Sequence, residues 1–143
     1  MAGTALWLGA VLAAPLLRAG GWVAGDILHL AFSGICHQLP ERSYWLAGHS
    51  LAVCARCWGL YCGFALGVLL LPWLQRPAQW LLAHPRSVAI FVIPLCVDLL
   101  LSNTHLSRFL TGLVATLPIP ILVWQAMQDL IRREWRFDLR RVL

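Results

Sequence analysis

The chain alternates long apolar runs with one short, dense polar stretch. Residues 4–18 form the first apolar run, interrupted by Pro15, and Gly20-Gly21 separates it from a second over 22–35. These two are expected to make either one broken helix or a helix followed by a juxtamembrane one. Within the second run, Asp26 and His29 lie three apart and share one helical face. Residues 37–53 are polar and carry Pro40 and Gly48, which predicts a loop or short hairpin at a membrane edge. Apolar residues then dominate 55–74, 88–101 and 109–130, each predicted to be a spanning helix, the last distorted by Pro118 and Pro120. Between them lie a basic loop over 75–87 and a turn over 102–107.

The expected fold is therefore all-α: a polytopic membrane protein with a compact bundle of about four transmembrane segments, or three plus a juxtamembrane or re-entrant helix. Residues 1–130 form a single helical domain carrying the polar hairpin at about 36–57, and 131–143 form a basic tail. Glycines 59, 63 and 67 recur every four residues on the helix over 55–74. That spacing presents a smooth stripe against which another helix can pack closely, within the chain or in a homo-oligomer.

Composition agrees with the pattern. Of 143 residues, 60 % are hydrophobic and only 12 % charged, too few charges for the surface of a water-soluble domain. The N-terminal run has no basic segment ahead of it, so a retained helix is expected in preference to a cleaved signal peptide. All 11 basic residues are arginine. Five of them, Arg132, Arg133, Arg136, Arg140 and Arg141, crowd the tail, where they suit anionic membrane lipids. No groove-reading domain accompanies them, so no nucleic-acid partner is expected. Adding Arg76 and Arg86 makes the tail side heavier than the side bearing Arg18, Arg42, Arg56 and Arg108. Both termini are then expected in the cytoplasm and the polar hairpin on the outer face of the cell membrane. Counting spans also brings the 36–57 region and the 98–108 turn to the same face, whichever way the protein is inserted.

The candidate chemistry sits in that polar stretch. Cys54 and Cys57 form a CxxC, which lets two sulfurs meet one metal or each other. Cys36 adds a third sulfur, and His37, with His49 as the alternative, adds a nitrogen. Zn²⁺ accepts such a tetrahedral set, while Fe²⁺, Cu⁺ or a cluster also match the donor softness. A metal that pins the hairpin is the leading reading. Thiol–disulfide exchange is the rival, with Arg56 inside the pair to favour the thiolate and Cys36 to resolve. A static disulfide is the simpler alternative. Cys62 and Cys96, inside apolar runs, are expected to pack as small hydrophobes.

Arg42, Arg56 and Arg108 are expected to converge on the same face, with Glu41 and Asp98 as ion-pair and orienting partners. Unpaired, the guanidinium groups would grip a carboxylate, a phosphate or a lipid headgroup. In an enzyme acting on a phospholipid or polyprenyl phosphate, His37 or His49 would be the acid or base. His105 caps the last span or joins the site. Tyr44, Trp45 and Trp58 suit an interfacial aromatic belt. No phosphate loop, HExxH, GxSxG or haem-attachment motif is present. With so little soluble mass, an accessory subunit of a larger membrane complex is a further reading.

Three segments carry a family resemblance. Ile35-Cys36-His37-Gln38-Leu39-Pro40-Glu41-Arg42-Ser43 resembles the opening signature of the small membrane proteins grouped as domain of unknown function 2085. Val53-Cys54-Ala55-Arg56-Cys57-Trp58-Gly59-Leu60-Tyr61-Cys62-Gly63 is similar to its second, and Asp98 with Arg108-Phe109-Leu110-Thr111-Gly112 to its third. The chain departs from the pattern at Leu99, where a glycine usually follows the aspartate. The resemblance implies a small membrane protein from bacteria or archaea and assigns no reaction.

Overall fold

A computed structural model describes residues 2–73, 88–100 and 104–142. The basic loop expected over 75–87 and part of the 102–107 turn lie outside them. The described chain is all-α apart from one small hairpin. Helix α1 (Ala2–Ala19) is followed by α2 (Val23–Ser33). A single turn of 3-10 helix (Pro40–Arg42) leads to β1 (Trp45–Leu46) and β2 (His49–Ser50). Then come α3 (Ala55–Leu70), α4 (Val88–Leu100), α5 (His105–Thr116) and α6 (Ile119–Val142).

Of the two arrangements expected for the first 35 residues, the chain takes two helices. The break falls at Gly20-Gly21, where Gly21 has φ +72°, a left-handed conformation that glycine adopts freely. The chain then doubles back. Late α1 meets early α2 through Arg18–Asp26 at 2.8 Å, and early α1 meets late α2 through Trp7 edge-on to Phe32 at 5.1 Å. The pair is thus an antiparallel helical hairpin. A methyl at Gly25 would lie 2.6 Å from the Arg18 backbone nitrogen, so the two helices touch backbone to backbone there.

The polar stretch does form a hairpin, with Trp45 opposite Ser50 and Leu46 opposite His49. Its turn is Ala47-Gly48, with φ +51° and +81°, the double left-handed geometry that suits the twist of a two-residue loop. The hairpin ends in the apolar run Leu51-Ala52-Val53, which buries against Val11 and Ala14 of α1 and Phe32 of α2. Cys36 belongs to this same core, at 5 % exposure.

The glycine stripe is consumed inside the chain. A methyl on Gly59 would collide with the Phe109 carbonyl oxygen, one on Gly63 with that of Leu113, and one on Gly67 with that of Leu117. The matched ascending order shows that α3 and α5 run parallel. Gly112 returns the contact, since a methyl there would lie 2.6 Å from the Arg56 carbonyl oxygen, and Thr116 Oγ1 donates to Leu60 O at 2.7 Å across the seam. Since the stripe is covered by α5, it is not available for a homo-oligomer.

Helix α5 starts at His105, four residues earlier than the apolar run suggests, because Thr104 caps it: Ser107 N donates to Thr104 Oγ1 at 3.2 Å. The expected distortion at Pro118 and Pro120 is a break between α5 and α6. Helix α6 continues to Val142.

Among the described residues, two stretches, Ala2–Ala19 and His105–Gln128, are long and apolar enough to cross a bilayer. Helices α2, α3 and α4 are apolar but shorter. The outward surface is apolar as well: Leu6, Trp22, Ile27, Leu30, Ile90 and Leu100 are all more than half exposed. A surface facing water seldom carries so broad an apolar cover; one facing lipid ordinarily does.

Candidate metal centre

The three signature cysteines come from two segments that share no element. Cys36 follows α2, where the chain turns with Cys36 N donating to Phe32 O at 3.0 Å. Cys54 is the N-cap of α3, and Cys57 sits in its first turn. Their sulfurs lie within 4.8 Å of one another. A tetrahedral ion with sulfur bonds of about 2.3 Å holds its sulfurs about 3.8 Å apart, so small side-chain adjustments would close the trio on one ion. All five cysteines are free thiols, and the static disulfide is not formed. Cys62 is half-buried in α3, whereas Cys96 faces outward from α4.

Within the trio, Cys54 is the sulfur held towards the thiolate. The Cys54 backbone N–H donates to Cys36 Sγ at 3.2 Å. Hydrogen bonds from Cys36 and then Cys57 hold the Cys54 thiol far below its ordinary range. The positive end of the α3 dipole adds to this.

One residue fixes the two segments together. Gln38 Nε2 donates to His29 O at 2.6 Å and to Ala52 O at 2.7 Å. It does so from a left-handed backbone, φ +50°, which is uncommon for a residue with a side chain. Ser43, 2 % exposed, closes the same loop by donating from Oγ to Leu39 O at 2.9 Å. In the sequence, Gln38 stands inside the first signature, and its residue type alone does not mark this role. The usable signal was a long amide beside a turn-forming proline, with bare backbone carbonyls to satisfy.

The expected histidines stand apart from the thiols. Neither His37 nor His49 belongs to the group of converging ligand atoms. His49 is held in β2, opposite Leu46. His37 is exposed but lines the cleft beside the trio. His105 opens α5, its ring 5.8 Å from that of Tyr44. Tyr44 is more than a belt residue, because its hydroxyl donates to His105 O at 3.2 Å and ties the hairpin to α5.

Arg42, Arg56 and Arg108 line one cleft, of about 610 Å³, together with Cys36, Cys54 and Cys57. Asp98, at the end of α4, forms part of its wall. Arg56 Nη2 donates to Asp98 Oδ2 at 2.6 Å, and Ser107 Oγ donates to Oδ1 at 2.5 Å. These bonds join α3, α4 and α5 at one end, which brings the 36–57 and 98–108 regions together. Asp98 is 2 % exposed in its side chain, so its charge depends on these partners. Glu41 is exposed and takes no part in the ion pairs among the described residues, which are Arg18–Asp26 and Arg56–Asp98.

The signatures and their geometry agree with the comparisons. Residues 36–122 match the family described as predicted membrane protein, domain of unknown function 2085. An uncharacterised protein of Methanocaldococcus jannaschii is 30 % identical over 118 residues, covering 76 % of this chain and 74 % of the relative. An uncharacterised protein of Methanothermobacter thermautotrophicus is 33 % identical over 102 residues, covering 65 % of this chain and 87 % of the relative. No solved structure matches. The matched region contains the cysteine trio, all three cleft arginines, Asp98 and the glycine seam, and the chain belongs to this family of small membrane proteins of unknown function.

Proposed function

We propose that this protein is an integral membrane metal-binding protein whose Cys36, Cys54 and Cys57 hold a thiophilic ion, zinc in the first place. The convergence of the three sulfurs carries the reading. Zinc takes three thiolates readily and completes its shell with a fourth donor. His37, on the cleft wall, is the protein's candidate for that position, and water is the alternative. The ion would lock the Cys36 loop onto the start of α3, adding to the Cys54 N–H bond to Cys36 Sγ and to the two bonds of Gln38. Arrangement in the membrane follows from charge: about four segments, both termini cytoplasmic and the thiol site at the outer face.

Metal content per chain tests this on full-length protein purified in detergent without chelator or an affinity-tag metal. About one zinc per chain is expected, lost in Cys54→Ser/Cys57→Ser. The low-lying Cys54 thiol and its two sulfur neighbours favour thiol–disulfide exchange as the second reading. Metal-free protein whose Cys54 and Cys57 cycle between thiol and disulfide would establish that one instead. Metal-free protein with inert thiols would overturn both.

A further inference from the structure

We propose that the cleft beside the cysteine trio binds a phosphate-bearing anion through Arg42, Arg56 and Arg108. The inference goes beyond the metal reading and stands whether or not the thiols hold an ion. Three guanidinium groups line the cleft against one carboxylate, Asp98. That carboxylate is already engaged by Arg56 and Ser107. Among the described residues, the Arg42 and Arg108 side chains have no ion-pair or hydrogen-bond partner. Arg56 has spare capacity too: its Nε is buried without an acceptor, which a folded protein seldom tolerates. The start of α3, through Cys54, Arg56 and Cys57, lines the cleft and adds its positive dipole end to the guanidinium charges.

The donor count favours phosphate over carboxylate. Three forked groups offer more N–H bonds than two carboxylate oxygens accept well, whereas a phosphate presents three or four oxygens. Beside His37, the rest of the described wall is apolar, made by Ile35, Leu39, Leu99 and Leu100, and Leu100 is 87 % exposed. A cationic floor beside an apolar rim suits the headgroup of an anionic lipid. A free phosphate would use the floor alone.

Native mass spectrometry of the full chain in detergent, with phosphatidate or phosphatidylcholine added, distinguishes the sources when paired with calorimetric titration of inorganic phosphate. Retention of phosphatidate above phosphatidylcholine is expected. Arg42→Gln/Arg108→Gln should weaken it at least about tenfold, the effect of losing one or more charge-assisted bonds. Arg18→Gln, at an arginine paired with Asp26 outside the cleft, should change it little. Zinc content and thermal melting of the same samples separate loss of the anion from loss of the metal or the fold. The single variant Arg42→Gln, on an exposed loop residue, gives the readout with the packed helices untouched. Binding of inorganic phosphate alone, with the same arginine dependence, would keep the phosphate site and assign it to a soluble ligand. Absence of both, or binding that the cleft variants leave intact, would overturn the proposal.

Discussion

Gln38 shows how much one side chain can hold in a chain with few polar contacts. Its amide donates twice, to carbonyls on either side of the site. Each such bond contributes about 1 kcal/mol net, and an abandoned buried carbonyl costs more. Gln38→Ala should therefore destabilise the protein by about 2–4 kcal/mol. It should also weaken metal retention in competition with a chelator, because the Cys36 loop loses one of its tethers to the segment before α3. Melting temperature and zinc release measured on one preparation would check both effects; a variant that melts lower yet keeps its zinc as tightly would break the proposed link. The cysteines and arginines were legible as a cluster because their residue types are costly in an apolar chain. Gln38 was not, because its work depends on a left-handed backbone and on carbonyls brought from residues 29 and 52. For the same reason, His37 was legible as a candidate but not its separation from the sulfurs: adjacency to Cys36 in sequence says nothing of which way a turn directs the ring.

Among the described elements, α3 and α5 pack backbone against backbone along one seam. Its glycines at 59, 63 and 67 leave no room for a side chain against the facing carbonyls. Replacing Gly63 with leucine forces the backbones apart and separates Thr116 Oγ1 from Leu60 O. Overpacking alone costs about 1–3 kcal/mol, and loss of the cross-helix bond adds to it. The expected outcome is a lower melting temperature in detergent, with the Gly63→Ala variant affected less; equal stability of Gly63→Leu and the parent would contradict the close packing. Period four announced a packing face but not the partner. Choosing α5 needed the parallel register, which rests on Gly112, Thr116 and a Thr104 cap that extends the helix upstream of its apolar run. The doubling back of α2 was similarly hidden. Gly20-Gly21 marked a break, and the direction after it follows from Arg18–Asp26 and Trp7–Phe32.

For the whole molecule, the three signatures form one end of a bundle. Cys36, the α3 start, the α4 end and the α5 start all meet there, and charge places that end outside the cell in the proposed topology. A membrane-impermeant maleimide applied to intact cells should then label a cysteine introduced at exposed Ala47 in the hairpin, in a cysteine-free background, and should spare one introduced at Ala2. The opposite labelling would invert the topology while leaving the shared end intact. The glycine seam has a further consequence, for biogenesis. Cys36, Cys54 and Cys57 are all synthesised before any residue of α4 or α5 exists, so the thiols emerge ahead of Asp98, Ser107 and the carbonyls of Phe109, Leu113 and Leu117 that seat α3. A chain stalled between α3 and α5 would carry a complete set of thiols on a helix with a bare glycine face, open to premature oxidation or to a rival metal.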